Sequence, residues 1–223
     1  MKGLMIGLCV AALAGPAMAA DNTLTAAEKA AGWKLLFDGN SMDAWRGFKK
    51  PASDWKVVDG ALAPDPKASG DLITKEQFGS FELAFDWKVS PKGNSGVMYH
   101  VTEDAAQSYY SGPEYQVLDN SRGEPPPQRA GALYDLYAPS ADVTKPVGEF
   151  NQSRLIVKGN HVEHWLNGQK VAAYELGSPE FKAKVAASKF KAWPFAASPA
   201  GHIALQNHGD DVWYKNLKVR VLK

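Results

Sequence analysis

Apolar and polar residues alternate along much of the chain, which is the pattern of half-buried β-strands. The clearest run lies between Phe81 and Val89, where apolar side chains occupy every second position and charged side chains most of the others. The same pattern favours strands in shorter runs at 33–37, 54–62, 154–158, 161–166, 169–174, 201–207 and 212–222. Short strands separated by turns about every ten residues predict an all-β fold, an antiparallel β-sandwich or barrel.

Short helices are predicted at the periphery of these strands. The Thr25–Glu28 spacing is that of a capping box, so a helix should begin there and end at Gly32. Ser178-Pro179 predicts a second helix that continues to about residue 190. Residues 119–150 are rich in glycine and proline, and a long excursion of this kind in a compact domain is usually functional or mobile.

The first twenty residues differ from the rest of the chain. Lys2 is followed by an apolar run at 3–14, a Gly-Pro breaker and the small-residue sequence Ala17-Met18-Ala19. This is the pattern of a secretory signal peptide, and the apolar run is shorter than the roughly 20 residues that span a membrane. We therefore expect residues 1–20 to be a signal peptide, with no transmembrane anchor. Residues 21–223 should form a single domain, and the protein should be periplasmic or secreted.

Composition narrows the functional classes. The 223 residues carry 25 Lys and Arg against 24 Asp and Glu, a formal net charge of +1, with no basic tract. Nucleic acid is therefore not an expected partner, because phosphate binding needs clustered positive charge. The single cysteine, Cys9, lies in the predicted signal peptide, which excludes a disulfide framework and a cysteine-rich zinc site.

Polar residues that could bind a substrate concentrate in a few short strings. Side chains alternate along a strand, so Glu114 and Gln116 should line an open sheet face if Tyr115 and Val117 fill the core. A face of this composition suits sugar hydroxyls, and nearby aromatic rings can stack on pyranose faces. The alternative is that these polar groups simply face water. The candidate substrate contacts are Asn94, His100, Gln116, Tyr134 and Gln206.

Among the five histidines, His208 is the best candidate for proton transfer. It follows Gln206-Asn207 at the end of a predicted strand, and loops at strand ends often carry reactive groups. His161 is expected to be a solvated turn residue. His164 and His202 are expected to have structural roles.

Two other kinds of site are compatible with the acidic residues. Asp119-Asn120, Asp142 and Asp210-Asp211 could supply oxygen ligands for calcium, although their spacing follows no EF-hand pattern. A calcium site is therefore an open alternative, and no other cofactor is expected. Glu82 and Asp86 could form the carboxyl pair of a glycosidase. However, the sequence lacks the closely alternating acidic motif of laminarinase-type glucanases, which weighs against a plain glycosidase.

Seven strings, taken in order, resemble those of the 3-keto-disaccharide hydrolase domain family. They occupy residues 32–45, 55–62, 93–97, 114–119, 131–134, 164–168 and 201–209. The resemblance extends over nearly the whole chain after the predicted signal peptide. It implies a concanavalin-A-like jelly-roll sandwich, export, and action on glycosides whose sugar is already oxidised at the C3 hydroxyl.

The chemistry of such substrates suggests roles for the candidate residues. A ketone at C3 acidifies the C2 proton, so a base can remove it and the C1 substituent can leave by β-elimination, after which water adds back. The site needs a base near C2, an acid at the glycosidic oxygen and donors or a cation at the enolate oxygen. We assign proton transfer to Glu114 and His208, substrate contacts to the residues named above, and a reserve acid or ligand role to His100. The alternatives are a non-catalytic, lectin-like carbohydrate-binding module and a calcium-dependent adhesion domain.

Overall fold

The computed structural model describes residues 20–51 and 53–223, so all of the predicted signal peptide except Ala20 lies outside the described residues. The described residues form thirteen strands, most of them short. They are β1 (Lys34–Leu35), β2 (Trp45–Gly47), β3 (Trp55–Val58), β4 (Ala61–Pro64), β5 (Leu72–Thr74), β6 (Phe81–Val89), β7 (Asn94–Val101), β8 (Glu114–Leu118), β9 (Asn151–Lys158), β10 (His161–Leu166), β11 (Gln169–Glu175), β12 (His202–Leu205) and β13 (Val212–Val221).

The strands form two antiparallel sheets. One has eight strands in the order β11-β10-β9-β6-β13-β4-β3, with β1 also paired to β13. The other has five strands in the order β2-β5-β12-β7-β8. Several neighbours are far apart in sequence: Phe81 of β6, for example, is opposite Val221 of β13. The predicted antiparallel β-sandwich is confirmed.

The core lies between the sheets and uses alternate residues of the strands. All five apolar residues at odd positions of β6 are buried. Phe81 is edge-on to Tyr99 of β7, with 6.4 Å between ring centroids, and Phe85 is edge-on to Tyr115 of β8 at 5.4 Å. Burial of each such side chain contributes about 1.5 to 3 kcal/mol. The alternation in the sequence therefore correctly identifies the inward faces of these strands.

The helices are short and peripheral, as predicted. They are α1 (Ala26–Ala30), α2 (Ser108–Ser111) and α3 (Pro179–Ala187), with 3₁₀ turns at Asn120–Arg122, Pro126–Gln128 and Lys189–Ala192. Thr25 and Glu28 form the expected capping box. The helix predicted to continue to about residue 190 is α3, and it is shorter than predicted. It ends at Ala187, because Ser188 has an extended conformation and caps a separate 3₁₀ turn. No helix in the described part of the chain is long and apolar enough to cross a membrane.

The outer face of the eight-stranded sheet carries acidic side chains that have partners. Glu82 is only 3% exposed and lies between Arg154 and Arg220, with 2.6 Å from its Oε2 to Nε of Arg220. Asp86 accepts a hydrogen bond from Nδ2 of Asn216 at 2.7 Å. The two carboxyl groups considered as a glycosidase pair therefore have separate partners.

A hydrogen-bonded chain inside the sandwich holds part of the 119–150 excursion. Nδ1 of the fully buried His164 lies 3.0 Å from the carbonyl oxygen of Gly131, and its Nε2 lies 2.8 Å from the hydroxyl of Tyr174. Because a carbonyl only accepts, we assign the proton to Nδ1. Desolvation lowers the pKa of His164 to about 4, so the ring is neutral at pH 7. This position agrees with the structural role expected of His164.

Candidate active site

Strands β7 and β8 lie side by side in the five-stranded sheet and set the orientation of the candidate residues. Gly96 of β7 is opposite Gln116 of β8. Tyr115 and Val117 are fully buried in the core. Glu114 and Gln116 therefore project from the outer face of the sheet, as the alternation predicted.

A cavity of about 450 Å³ opens on this outer face. Its volume falls within the range of roughly 300 to 1,000 Å³ that is usual for small-molecule sites. The lining residues are Phe48, Ser69, Gly70, Asp71, Asn94, Gln107, Tyr109, Glu114, Gln116, Tyr134, Lys189, Phe190, Gln206, Asn207 and His208. The fold thus brings together every predicted site residue except His100.

Glu114 lies on the floor of this cavity and is largely buried. The residue is 7% exposed, and its carboxyl lies over Gly96, where a Cβ atom would overlap it. No group among the described residues donates a hydrogen bond to the carboxyl. Desolvation raises the pKa of Glu114 to about 8, opposed by the charge of Lys189 and reinforced by that of Asp71. At pH 7 the carboxyl is therefore mostly protonated and can donate a proton.

Three amide oxygens of residues that line the same cavity lack hydrogen-bond partners within the described ranges. They are Oδ1 of Asn94, Oε1 of Gln116 and Oε1 of Gln206, and all three are buried atoms. The orientation of Gln116 is fixed, because its Nε2 donates to the carbonyl of Gln128 at 3.1 Å. Buried acceptors without donors are rare in folded proteins. A ligand with several hydroxyl groups would satisfy them.

Tyr134 reaches the cavity on the segment 131–134 of the long excursion. Its backbone N–H donates to the carbonyl of Glu114 at 3.0 Å, and that of Gly131 to the carbonyl of Gln116 at 2.9 Å. The segment therefore runs beside β8 like a short extra strand. The ammonium of Lys189 lies 4.4 Å from the centre of the Tyr134 ring. Part of the Gly- and Pro-rich excursion thus belongs to the site.

One side of the cavity is lined by the aromatic rings of Tyr109 and Phe190. Both rings pack edge-on against Trp193, at 5.7 and 5.9 Å between centroids, and Trp193 stacks on Tyr110 at 4.1 Å. We call these four residues the aromatic wall: two of them line the cavity and two support them. The rings of Tyr109 and Phe190 can pack against the apolar face of a sugar.

His100 does not line the cavity, which corrects the expectation that it contacts the substrate. The backbone at His100 has a φ of 52°, and the pairing of β7 with β12 shifts register nearby. The strict alternation of side chains is lost at this irregularity. The ring is 2% exposed, with Nε2 2.9 Å from the carbonyl oxygen of Gly79, and it packs edge-on against Phe81.

His208 and Asp71 lie near each other at the end of the cavity where β5 and β12 pair. His208 is exposed at the rim. Asp71 accepts hydrogen bonds from the backbone N–H of Asn207 at 3.0 Å and from the hydroxyl of Ser108. Desolvation is the main cause that raises the pKa of Asp71, and its two donors and the charge of His208 oppose it.

Three of the acidic residues considered as calcium ligands accept hydrogen bonds from backbone N–H groups. Asp119 accepts from the backbone N–H of Lys92 at 2.7 Å, and Asp210 from that of Asn94 at 3.0 Å. Asp142 accepts from the backbone N–H of Thr144 at 3.1 Å. No group of three or more His, Cys, Asp or Glu side chains in the described ranges could hold a metal ion. Calcium binding stays an open alternative.

Comparison with protein families identifies the domain. The family model described as a 3-keto-alpha-glucoside-1,2-lyase-like domain matches residues 32–220. The chain belongs to this family. The resemblance inferred from the seven sequence strings is thereby confirmed, and every cavity residue of this lyase-like domain falls within the matched segment.

Individual relatives agree with this assignment. A 3-keto-disaccharide hydrolase from Bacteroides thetaiotaomicron is 33% identical over 228 aligned positions, covering 86% of this chain and 79% of the relative. A crystal structure from Parabacteroides distasonis, provisionally described as a glycosyl hydrolase, has a TM-score of 0.86 at 34% identity and covers 92% of this chain and 100% of that chain. A second structure with the same description and organism has a TM-score of 0.66 at 26% identity, covering 85% and 99%.

Two functional candidates of the lyase-like domain were missed from the sequence. Asp71 follows Ser69-Gly70 and precedes a short strand, and Lys189 follows the end of a helix. Both positions are typical of ordinary surface residues, so the local sequence gave no signal. Only the packing of distant parts of the chain against each other brings them to the cavity.

Proposed function

We propose that the protein is an exported enzyme that cleaves 3-keto-glycosides. Membership of the 3-keto-alpha-glucoside-1,2-lyase-like family and a relative named 3-keto-disaccharide hydrolase support glycoside cleavage. The observation that carries the proposal is the buried, mostly protonated carboxyl of Glu114 on the floor of a cavity. An acid held in this form at neutral pH is suited to deliver a proton to a leaving oxygen.

The first half of the proposed reaction is an elimination. His208 takes the proton from C2, and the electrons of the C2–H bond form an enolate with the C3 ketone. The enolate then collapses to a C1=C2 double bond and restores the ketone while the C1–O bond breaks. Glu114 gives its proton to the departing oxygen, so the leaving group departs as a neutral alcohol.

The second half is a hydration. Water adds its hydroxyl to C1 of the unsaturated ketone, and a proton returns to C2. The net reaction is hydrolysis, because a glycoside and water become a free 3-keto sugar and an alcohol. Glu114, now ionised, can take the proton from the incoming water and so return to its acid form. Each proton-transfer group typically contributes about 10² to 10⁴ in rate.

The remaining cavity residues would hold the sugar. The oxygens of Asn94, Gln116 and Gln206 accept hydrogen bonds from sugar hydroxyls, which supplies the donors that these buried atoms lack. The hydroxyl of Tyr134 donates to a hydroxyl or to the ketone oxygen. These contacts favour a substrate rich in hydroxyl groups.

Export is a separate part of the proposal and rests on the sequence. The signal-peptide pattern at residues 1–20 supports secretion into the periplasm or the medium. Fractionation of expressing cells, with mass spectrometry of the mature amino terminus, tests it. Recovery of the full-length chain in the cytoplasm alone would overturn export without affecting the chemistry.

The decisive experiment compares 3-keto-trehalose with trehalose as substrates in heavy water. We expect sugar release from the keto compound only, and deuterium at C2 of the released sugar. Glu114→Gln should lose this release, whereas Asp86→Asn, a matched carboxyl-to-amide change on the other sheet, should retain it.

Two outcomes would contradict the proposal, and a third would add a cation to it. Release from trehalose alone would indicate an ordinary glycosidase. Saturable binding of the keto sugar without conversion would indicate a lectin-like module. Loss of activity on chelation, restored by calcium, would assign the enolate-stabilising role to a cation and not to side-chain donors alone.

A further inference from the structure

The cavity holds a second carboxyl group, Asp71, that the proposed mechanism does not use. Asp71 immediately precedes β5, while Glu114 begins β8, so the two acids reach the cavity from different strands. The two oxygens of Asp71 have different donors: Oδ1 accepts from the backbone N–H of Asn207 and Oδ2 from the hydroxyl of Ser108. Both donors favour the ionised form of Asp71.

Through Asn207, Asp71 is linked to the loop that carries His208. The side-chain amide of Asn207 donates to the carbonyls of Asp65 and Ala68 at 3.0 and 3.1 Å. Its Oδ1 accepts from the backbone N–H of Gly209 at 3.1 Å. The backbone on both sides of His208 is therefore fixed, and Asp71 provides the contact on the cavity side.

The charge of Asp71 also acts on Glu114. Burial is the main cause that raises the pKa of Glu114, and the charge of Asp71 adds a smaller contribution, because ionisation of both acids would place two negative charges in one cavity. The other charged or titratable groups around the two acids are Lys50, Tyr109, Tyr134, Lys189, His208 and, from the opposite sheet, Tyr214. Of the cationic groups in this set, Lys189 opposes the effect of Asp71, because its positive charge lowers the pKa of Glu114.

We propose that Asp71 is a positioning residue, which anchors the loop of His208 and whose negative charge adds to the effect of burial in holding Glu114 in its acid form. The effect on catalysis rests on the proposed function. The coupling between Asp71 and Glu114 does not, because it is a property of the free protein.

Asp71→Asn is the informative variant, because it removes the charge and can keep both contacts. The amide oxygen can accept from Asn207, and the amide nitrogen can donate to the hydroxyl of Ser108, which also accepts. Carbon-13 NMR of the glutamate carboxyl carbons would follow the titration of Glu114, whose signal is the one missing from Glu114→Gln. We expect the midpoint of Glu114 to fall by about 0.5 to 1 pH unit in Asp71→Asn.

Two further variants test the specificity of this shift. Asp65→Asn removes a negative charge from the neighbouring loop outside the cavity and should leave the midpoint of Glu114 unchanged. Lys189→Gln removes the opposing cation and should move the midpoint upward. An unchanged midpoint in Asp71→Asn, or an equal fall in Asp65→Asn, would overturn the electrostatic role.

The wild-type protein provides a test that does not need the variant to fold. Two coupled carboxyls titrate in steps that belong to the pair, so the Glu114 signal should show a second inflection where Asp71 titrates. A single step with no second inflection would overturn the coupling.

The catalytic arm uses the pH profile of sugar release from 3-keto-trehalose. In Asp71→Asn the loss of activity at high pH should begin at a lower pH, by the same amount as the NMR midpoint. If the wild-type protein releases no sugar, the proposed function fails while the NMR result still decides the coupling. If release occurs but its high-pH limit does not move with the NMR midpoint, the positioning role in catalysis fails.

Discussion

The outer face of each sheet carries a buried glutamate, and the two glutamates differ in their partners. On the eight-stranded sheet, Glu82 is 3% exposed and is held between two arginines. On the five-stranded sheet, Glu114 is 7% exposed and accepts no hydrogen bond within the described ranges. The burial of the two residues is almost the same, so their difference lies in the partners that surround them.

The two glutamates therefore have different roles: Glu82 contributes to stability, and Glu114 is available for chemistry. A buried carboxylate between cations is satisfied and holds strands together, whereas a buried acid without donors costs free energy in its ionised form. Glu114, the acid without donors, lies in the cavity that also holds three buried amide oxygens without donors. We infer that the five-stranded face is organised to bind a ligand, whereas the polar groups of the eight-stranded face bind one another.

The sharpest test of this comparison is the loss of activity in Glu114→Gln. We expect kcat for 3-keto-trehalose to fall by about 10²- to 10⁴-fold, because the amide cannot donate the proton. The melting temperature at pH 7 should not fall, because the amide resembles the neutral acid in charge and shape. Release of sugar is the measurement, and a kcat near the wild-type value would remove Glu114 from the mechanism.

The next largest effect concerns stability against pH. Burial raises the pKa of Glu114 from an ordinary 4.5 to about 8, so the folded state binds a proton that the unfolded state releases between these values. The stability from this group is complete below pH 4.5 and is lost as pH rises through 8, by a few kcal/mol. Urea unfolding at pH 5 to 9 should show this decline in the wild type. A decline that is just as steep in Glu114→Gln would assign it to another group.

A smaller effect is expected when a methyl group is added at Gly96, beneath the carboxyl of Glu114. In Gly96→Ala the new methyl group would overlap the carboxyl of Glu114 and displace it. A displacement of about 1 Å can reduce the rate up to roughly 100-fold. Gly79→Ala is a suitable control, because the new methyl would meet its nearest atom at an ordinary 3.5 Å. Equal kcat values in the two variants would show that the position of Glu114 is not critical.

The smallest effect is expected on the opposite face. Glu82→Gln should lower the free energy of unfolding by about 1 to 3 kcal/mol, because a charge-assisted hydrogen bond to an arginine is lost. Its kcat, measured well below the unfolding temperature, should equal that of the wild type. If Glu82→Gln lost activity while remaining folded, the division between the two faces would not hold.

The sequence predicted those parts of the fold and site that depend on local pattern. Period-two alternation correctly placed the inward side chains of β6 and the outward Glu114 and Gln116 of β8. The capping residues Thr25 and Ser178 likewise marked where two helices begin. In each case neighbouring residues alone determine the backbone or the face.

The missed features depend on contacts between distant parts of the chain. Asp71 belongs to no recognisable local sequence pattern. It contacts Asn207, 136 residues away, only because β5 pairs with β12. His100 was misplaced because a backbone irregularity at this position ends the alternation on which the prediction relied. Neither strand pairing nor such irregularities can be deduced from one sequence.

The aromatic wall gives the cavity two sides of unequal constraint. The floor is fixed by continuous strand pairing, where one substitution disturbs several neighbours. The aromatic wall is held by side-chain contacts such as the stack of Tyr110 on Trp193. Rings of other sizes can replace these side chains without changing the hydrogen bonds between any two strands. Under the proposed function, substitutions in this wall can therefore change which substrate is accepted while Glu114 and its supporting strands stay unchanged.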